Sequence, residues 1–248
     1  GTALVHTVTL SGASAAPATY SFSLAGVTAT AGSDFTNAPV FSDGVTLAAG
    51  IITVPAGVTS FTVTVPTTAD TTDEPAETTA LVVGGVAATG TINDDDATPT
   101  ITSVEPGAPG AGDDAVVEGT SLVYTVSLSN PSSVATTYPF SLGGGTAGAT
   151  DFTNAPVFSN GVTLAGGVIT VPAGVTSFTV TVPTIDDVLA EPGANETLPL
   201  TIGGVTGNGT IQDNEGAPVV ASVTSDAQTE GTALVHTVTL SGASAAPA

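Results

Sequence analysis

The 248-residue sequence contains no lysine and no arginine, and its 22 acidic residues give a formal net charge of −22. Nucleic-acid grooves and contacts with anionic membranes both need basic side chains, so these two classes of partner are excluded. No carboxylate can find a lysine or arginine within the chain. A protein with this charge attracts multivalent cations.

Other residue types are also missing or scarce. Cysteine and tryptophan are absent, and aromatic residues make up only 4%. A chain without disulfides needs another way to stabilise a small secreted fold, and metal ions are the obvious candidate. No apolar run reaches the ~18 residues of a membrane-spanning helix, so we expect no direct membrane insertion.

The remaining composition is typical of β-strands, because valine, alanine, leucine and isoleucine alternate with threonine and serine. With 41% hydrophobic residues, the chain is too apolar for a disordered acidic tail. Alternation with a period of two predicts half-buried strands. In the most complete stretch these predicted strands are Thr100–Val104, Leu122–Leu128, Thr137–Leu142, Val162–Val171 with a break at Ala165, Ser177–Pro183, Glu196–Ile202 and Gly207–Ile211.

The sequence repeats itself. Residues 1–18 reappear unchanged at 231–248, and the Phe35–Phe41 segment returns at Phe152–Phe158, a shift of 117 positions (152 minus 35). The repeating unit is therefore one domain of about 115 residues. We predict an all-β fold of tandem antiparallel Ig-like sandwiches with about seven strands each, arranged as an extended rod.

The repeat boundaries predict three domains. Residues 1–97 form a first sandwich that lacks its first strand, residues 98–216 form a complete second sandwich, and residues 217–248 supply the opening strands of a third.

Acidic residues concentrate at one end of each predicted sandwich. Because consecutive antiparallel strands reverse direction, alternate loops lie at opposite ends. The loops at one end hold no acid, whereas those at the other end hold nearly all of them. These are Asp34, Asp70, Asp73, Glu74, Glu77 and Asp94–Asp96 in the first unit, and Asp113, Asp114, Glu118, Asp151, Asp186, Asp187, Glu191, Glu196, Asp213 and Glu215 in the second, with Asp226 and Glu230 in the next.

Like charges crowded at one end destabilise a fold unless a cation binds between them. Ca²⁺ takes six to eight oxygens in tolerant geometry, whereas Mg²⁺ prefers fewer protein ligands and more water. The simpler alternative is that aspartate and glutamate merely favour solvated turns. That alternative does not account for acid-free loops at the opposite end, so Ca²⁺ is our predicted cofactor.

The order of motifs resembles the Calx-β repeat found in tandem in giant RTX-type bacterial surface adhesins secreted by type I systems. Glu118-Gly opens the second strand, Ala-Gly-Ser-Asp34-Phe and Ala-Thr-Asp151-Phe follow the third, and each unit closes on Gly-Thr-Ile followed by acids. The resemblance covers the entire chain. It implies a Ca²⁺-bound sandwich whose acidic clusters stiffen the joint to the next domain.

The acids that we expect to bind metal, from the resemblance together with the loop positions, are Asp34, Asp70, Asp73, Glu74, Asp94, Asp95, Asp96, Glu118, Asp151, Asp186, Asp187, Asp213, Glu215 and Glu230. The second unit departs from the pattern because its last strand ends in Asp213-Asn214-Glu215 rather than three aspartates, which predicts weaker or fewer ions there. Its segment Pro106–Asp114 is also longer than its counterpart, which predicts a cap or extra ligands.

A catalytic role is not expected. His6 and His236 occupy the same repeat position, and the other unit has Tyr124 there, which indicates a packing or surface site rather than a catalytic base. No cysteine is present, and no serine stands in a nucleophile elbow. We therefore predict that the chain is not an enzyme.

The main functional hypothesis is a Ca²⁺-stiffened structural extender in a long extracellular adhesin or matrix fibre at a bacterial cell surface, supporting adhesion or biofilm formation. Its expected partners are neighbouring repeats of the same array. One alternative is a module that binds a glycan or ice through Ca²⁺. Another is a filament subunit that donates a strand to a like chain, because residues 219–230 offer the strand that residues 1–18 lack. The simpler alternative for these ends is a truncated window of a continuous array, which we favour over strand donation.

Overall fold

The computed structural model describes residues 1–107, 115–191 and 195–244. The chain divides into two compact units, residues 1–98 (unit 1) and 99–248 (unit 2). Strands joined by turns and irregular segments make up the described residues, which contain no α-helix. Accordingly, no helix that could cross a membrane is found among them.

Unit 1 is built from two sheets. Its strands are β1 (Leu4–Thr9), β2 (Ala18–Gly26), β3 (Val40–Phe41), β4 (Thr46–Ala48), β5 (Ile51–Val54), β6 (Ser60–Val65), β7 (Glu77–Val83) and β8 (Val86–Ile92). One sheet has the order β1-β6-β3 and the other the order β4-β5-β2-β7-β8. Inward side chains of both sheets, such as Val63 from β6 and Ile52 from β5, meet in one core, which makes the unit a sandwich.

Unit 2 repeats this plan with additional strands. They are β9 (Ile101–Pro106), β10 (Ala115–Val117), β11 (Leu122–Leu128), β12 (Thr136–Leu142), β13 (Val157–Phe158), β14 (Thr163–Ala165), β15 (Val168–Val171), β16 (Ser177–Val182), β17 (Leu189–Ala190), β18 (Asn195–Ile202), β19 (Val205–Gln212), β20 (Val220–Ser225), β21 (His236–Leu240) and β22 (Ala243–Ser244).

The main sheets of unit 2 have the orders β13-β16-β11-β9 and β10-β19-β18-β12-β15-β14. Tyr124, Phe178, Ile169 and Leu198 are fully buried between them. Two further pairs lie outside these sheets: β20 pairs with β21, and β17 pairs with β22. The predicted all-β sandwich fold is thus confirmed.

Most strands predicted from the alternating pattern are found within two residues of their predicted ends, and the one at Leu122–Leu128 matches β11. The predicted strand Val162–Val171 is instead two short strands, β14 and β15, which form a hairpin. Gly166 and Gly167 both have positive φ angles and reverse the chain. Strands of two or three residues, such as β10 and β13, show too little alternation to be recognised in the sequence.

Strand directions place the acidic loops as predicted. β11 is antiparallel to β9 and β16, and β18 is antiparallel to β12 and β19. β9 and β16 therefore run in the same direction in one sheet, and β12 and β19 do so in the other. Acidic residues follow the ends of β12, β16 and β19 and approach one another. β8 and the other unit 1 strands repeat this arrangement.

The two units differ at their edges. In unit 2, β9 pairs with β11 and β10 pairs with β19. In unit 1, every residue of which is described, no strand covers the corresponding edges of β1 and β8. The histidines occupy the positions expected for packing or surface residues, because His6 is buried inside unit 1 and His236 lies on the exposed strand β21.

Candidate metal centres

The first acidic cluster of unit 1 consists of Asp34, Glu74 and Glu77, which we call the inner cluster of unit 1. One carboxylate oxygen from each lies within 4.8 Å of the others. Asp34 comes from the long connection after β2, Glu74 from the connection between β6 and β7, and Glu77 from the first residue of β7. Two segments distant in the sequence, one with Asp34 and the other with Glu74 and Glu77, thus bring three carboxylates together.

Unit 2 repeats this cluster residue for residue. Asp151, Glu191 and Glu196 again offer carboxylate oxygens within 4.8 Å of one another, and we call them the inner cluster of unit 2. Asp151 is buried, and the two glutamates are half-buried. The same trio occurs twice on the same scaffold, so its geometry follows from the fold rather than from a chance arrangement of surface acids.

Backbone amides and one side-chain hydroxyl fix the orientation of the buried aspartates. The Gly148 amide and the Thr150 hydroxyl donate to Asp151, the second at 2.9 Å, and the Thr30 amide donates to Asp34 in unit 1. Burial works to raise the pKa of Asp151, but hydrogen bonds from Gly148, Glu196 and Thr150 outweigh it and lower that pKa. Asp151 is therefore held as a carboxylate.

The pKa values of the glutamates that face these aspartates shift in the opposite direction. Burial, followed by the hydrogen bond and negative charge of Asp151, raises the pKa of Glu196 to about 7. In unit 1, burial and Asp34 raise the pKa of Glu77 to about 7 in the same way. Two carboxylates this close can hydrogen-bond only by sharing a proton, and near neutral pH a cation can take the place of that proton.

The second acidic cluster of unit 1 is Asp94-Asp95-Asp96, the outer cluster of unit 1, whose carboxylate oxygens also come within 4.8 Å of one another. Asp94 accepts from the amides of Glu74 at 3.0 Å and Asp96 at 3.2 Å. These bonds join the outer cluster to the inner one. Both clusters line one small cavity of about 40 Å³.

The outer cluster of unit 2 is assembled differently, from Glu118, Asp187 and Glu215. Glu118 follows β10, Asp187 follows β16 and Glu215 follows β19, so three separate segments contribute. Burial raises the pKa of Glu118 to about 7, with Asp213, Glu215 and Asp187 adding to the effect against a lowering hydrogen bond from Asn214.

Asp213 and Asn214 support this outer cluster. Asp213 accepts from the amides of Glu191 and Glu215, both at 2.9 Å, as Asp94 does from Glu74 and Asp96 in unit 1. Asn214 donates from its side chain to Asp186 at 3.0 Å. Unit 2 thus has the side-chain amide of Asn214 at the position where unit 1 has the carboxylate of Asp95.

The remaining predicted ligands have different surroundings. Asp70 lines the unit 1 cavity, whereas Asp73 accepts from the Thr98 hydroxyl at 3.4 Å. Glu230 lies between β20 and β21, exposed, and belongs to neither cluster of unit 2. Asp113 and Asp114, with most of the predicted cap Pro106–Asp114, lie outside the described residues.

Three members of the inner clusters are absent from the predicted ligand set: Glu77, Glu191 and Glu196. The sequence pattern places each of them in an acidic loop but does not predict that it binds metal. The repeated dipeptide Glu-Thr at positions 77 and 196, at the start of equivalent strands, was the available signal. Sequence separation concealed their approach to Asp34 and Asp151.

The donor set fits Ca²⁺. Every side chain in these clusters offers carboxylate oxygens, the ligand type that Ca²⁺ accepts in numbers of six to eight. Among the described residues, Glu196 Oε2 and Glu215 Oε2 are buried without a hydrogen-bond partner. Such atoms are costly to bury unless a proton or a cation contacts them.

No protein-family model and no curated protein matches this chain. Similar solved structures include CBD12 from CALX1.2, with 14% identity over 80% of this chain and 73% of that one and a TM-score of 0.32. The calcium-binding domain CBD12 of CALX1.1 matches with 16% identity over 81% of this chain and 74% of that one, with a TM-score of 0.30.

Domains 4 and 5 of the S-layer protein SbsC match with 16% identity over 55% of this chain and 64% of that one, TM-score 0.28. Because all three TM-scores are low, the fold assignment rests on the strand pairing described above. The Calx-β resemblance itself rests on the sequence motifs. The RTX-adhesin part of that resemblance stays a prediction.

Proposed function

We propose that this chain is a Ca²⁺-stiffened structural extender of a long extracellular adhesin or matrix fibre. In this proposal the β-sandwich units are spacers that carry adhesive regions away from a bacterial cell surface and support adhesion or biofilm formation. The units perform no catalysis.

The observation that carries the proposal is the duplicated inner cluster. Asp34, Glu74 and Glu77 recur as Asp151, Glu191 and Glu196 in a chain that has no lysine or arginine to neutralise them. Without a cation each trio costs folding free energy through repulsion and desolvation. A bound ion that offsets this free-energy cost in each unit explains why the cluster occurs twice.

Ca²⁺ would act through the loops that it joins. In unit 1 the inner cluster ties the connection after β2 to the start of β7, and the outer cluster holds the residues that follow β8. Because only two residues separate Asp96 from residue 99, where unit 2 begins, ions at these carboxylates would restrain the connecting residues. A restrained connection is what an extender needs.

A glycan-binding role lacks the usual platform. All eleven aromatic side chains of the sequence, three tyrosines and eight phenylalanines, lie in described residues, and each is buried or half-buried. No fully exposed aromatic ring is left for stacking against a sugar face. The structural role is therefore the better supported of the two.

The test is thermal unfolding of the 248-residue chain in excess Ca²⁺ and in EDTA. A site saturated at about a hundredfold excess over Kd adds about 2.7 kcal/mol, which corresponds to a rise in Tm of roughly 10 °C or more for units of this size. Mg²⁺ at equal concentration is the control and should give a much smaller rise. Identical unfolding curves in Ca²⁺ and EDTA would refute the proposal.

A further inference from the structure

Two asparagines of unit 2 are each followed by glycine, at Asn160-Gly161 and Asn208-Gly209, and the sequence contains no other Asn-Gly pair. At such a pair the backbone nitrogen of the glycine can attack the side-chain amide of the asparagine, because glycine has no Cβ to obstruct the approach. The sequence does not distinguish the two pairs. Their surroundings in the structure do.

Asn160-Gly161 forms the centre of a tight turn on the surface of unit 2. The Val162 amide donates to the Ser159 carbonyl at 3.2 Å, and the two residues between them have positive φ angles of 53° and 72°. Positive φ at both central positions is the geometry of a type I′ turn, which favours asparagine followed by glycine. Both residues are exposed, and a Cβ built on Gly161 would meet Pro172 Cγ at an ordinary contact distance of 3.5 Å. The glycine nitrogen therefore has room to move towards the asparagine side chain.

Asn208-Gly209 lies in the middle of a strand instead. Pro199 and Leu198 of β18 lie opposite these two residues in the ladder between β18 and β19. Gly209 is buried, and a Cβ built on it would come within 2.5 Å of Leu122 Cδ2. The Gly209 nitrogen cannot turn towards the asparagine side chain unless β19 first leaves its ladder.

Unit 1 has an aspartate at the position of Asn160. Asp43 has a φ of 52° and Gly44 a φ of 71°, and the Val45 amide donates to the Ser42 carbonyl at 3.2 Å. The two turns thus agree within 1° in both angles, and the same hydrogen bond closes them. A turn of this shape accommodates either an amide or a carboxylate at its first central position.

We propose that Asn160 is a site of spontaneous deamidation, which converts the turn of unit 2 into the turn that unit 1 already has. The Gly161 nitrogen loses its proton and bonds to Cγ of Asn160. The Cγ–Nδ2 bond then breaks, and Nδ2 takes up a proton and leaves as ammonia. The product of this step is a cyclic succinimide.

Water opens the succinimide in one of two ways. Addition to Cγ breaks the bond between Cγ and the ring nitrogen, which restores the main chain and leaves an aspartate at position 160. Addition to the main-chain carbonyl carbon breaks its bond to the nitrogen and gives isoaspartate. The net reaction consumes one water and releases one ammonia, and it needs no enzyme, oxidant or cofactor.

An aspartate at position 160 would find a hydrogen-bond donor in place. In unit 1 the Ser42 hydroxyl donates to Asp43 at 2.6 Å, while its oxygen accepts from the Thr62 amide at 2.8 Å. In unit 2 the Ser159 oxygen accepts from the Thr179 amide at 2.7 Å. The Ser159 hydroxyl is therefore held where its counterpart in unit 1 donates to a carboxylate.

The reaction removes one contact of Asn160, whose Nδ2 donates to the Ser177 carbonyl at 2.7 Å. A carboxylate has no proton to donate, so the aspartate product would turn from this carbonyl towards the Ser159 hydroxyl. Because the lost hydrogen bond is exposed to solvent and a new one replaces it, the turn should keep its stability. Isoaspartate instead lengthens the main chain, has no counterpart in unit 1 and should loosen the turn.

Deamidation would change the charge of unit 2 with time. Each event replaces a neutral amide by a carboxylate in a chain that already carries a formal charge of −22. Because water is the only co-reactant, the modified fraction grows with the age of the chain and not with the supply of an enzyme. The turn of unit 2 thereby records age, which the turn of unit 1 cannot do.

The test follows both Asn-Gly pairs of the full 248-residue chain by peptide mass spectrometry, at neutral and mildly alkaline pH. In folded chains Asn160 should convert at least about tenfold faster than Asn208, because only Asn208 requires its strand to open first. The rate at Asn160 should rise with hydroxide concentration, since the attacking nitrogen must lose a proton. In chains unfolded by urea the two rates should become similar. Conversion at Asn160 that is no faster than at Asn208 in folded chains would overturn the proposal.

Two substitutions test the equivalence of the turns. Asp43→Asn should give a folded chain with a new site that converts within about threefold of the rate at Asn160, because the two turns share one geometry. Asn160→Asp, the product form, should unfold within about 2 °C of the wild type. A folded Asp43→Asn chain whose new asparagine stays intact, or a markedly lower Tm for Asn160→Asp, would contradict the proposal.

Discussion

Unit 1 and unit 2 share a fold and an inner cluster but differ in what surrounds them. The inner clusters align residue for residue, with the same elements supplying each carboxylate. The outer clusters do not, since unit 1 uses three consecutive aspartates and unit 2 uses three separate segments, one of which follows β10. The scaffold alone determines the inner cluster, whereas the outer clusters draw their carboxylates from different segments in the two units.

The two units also differ in the hydrogen bonding of their cores. In unit 2 the Tyr124 hydroxyl donates to the Leu198 carbonyl. At the equivalent positions unit 1 has His6 and Thr79, and His6 Nε2 and Thr79 Oγ1 are buried without a partner. Burial lowers the pKa of His6. In unit 1, two polar core atoms thus lack the hydrogen bond that the corresponding position of unit 2 makes.

The largest expected effect comes from substituting the residues at which the two cores differ. Tyr124→Leu removes a filled volume and a hydrogen bond, so it should destabilise unit 2 by about 2–4 kcal/mol. His6→Leu removes a buried polar atom that has no partner, so it should change the stability of unit 1 by less than about 1 kcal/mol, in either direction. Hydrogen exchange resolved by peptide assigns each change to its unit. Equal losses would show that the two cores are equivalent.

The next effect distinguishes a metal site from a cluster of acids in solvent. Glu77→Gln and Glu196→Gln remove one repelling charge each, so in EDTA they should stabilise their units, by about 1 kcal/mol. In Ca²⁺ the same variants should lose about tenfold or more in ion affinity, because ligand charge tunes affinity. Isothermal titration and thermal unfolding measure the two effects.

The control for this reversal is Asp43→Asn. Asp43 lies outside the clusters in a turn with φ of 52°, and Asn160 occupies the equivalent turn with φ of 53°. Asp43→Asn therefore removes one side-chain charge at a backbone conformation that asparagine adopts in the equivalent turn. If Asp43→Asn behaves like the glutamine variants, net charge rather than ion coordination explains them.

A third prediction concerns pH. Burial raises the pKa values of Glu77, Glu118 and Glu196 from 4.5 to about 7. Between these values the folded state binds more protons on these glutamates than the unfolded state, so their contribution to stability without metal is fully present below pH 4.5 and is lost as pH rises through about 7. Melting curves in EDTA from pH 5 to 8 should show this fall, and excess Ca²⁺ should remove it. A Tm that rises with pH in EDTA would contradict the assignment.

The smallest effect comes from exchanging the outer clusters. Asn214→Asp gives unit 2 the triple-acid ending of unit 1 and removes the hydrogen bond to Asp186. Asp95→Asn makes the converse change in unit 1. We expect Asn214→Asp to raise Ca²⁺ affinity a few-fold and Asp95→Asn to lower it by a similar factor. Affinities that move in the same direction would show that the endings do not tune the sites.

Much of this architecture was accessible from the sequence because it depends on local alternation. The pattern at Leu122–Leu128 is that of β11, and the reversal of strand direction was enough to place Asp34, Asp94 and Asp151 at one end. These features need only the period of two and the repeat. They are insensitive to how the sheets pack.

The composition of each cluster was less accessible, since it depends on packing. Glu77 meets Asp34 across 43 positions (77 minus 34) because β7 pairs with the end of β2, and no local pattern reports such a pairing. Glu196 and Asp151 are concealed in the same way. The parallel strand β10, which leads to Glu118, is too short to show alternation.

Bound-metal analysis tests the central claim most directly. The 248-residue chain would be dialysed against Ca²⁺ and Mg²⁺ together and its metal content measured, beside a variant that carries both Glu77→Gln and Glu196→Gln. We predict that the wild type retains Ca²⁺ at one or more ions per unit and that the double variant retains less while it stays folded. A wild-type chain that retains no Ca²⁺, or a double variant that retains the same amount, would contradict the account.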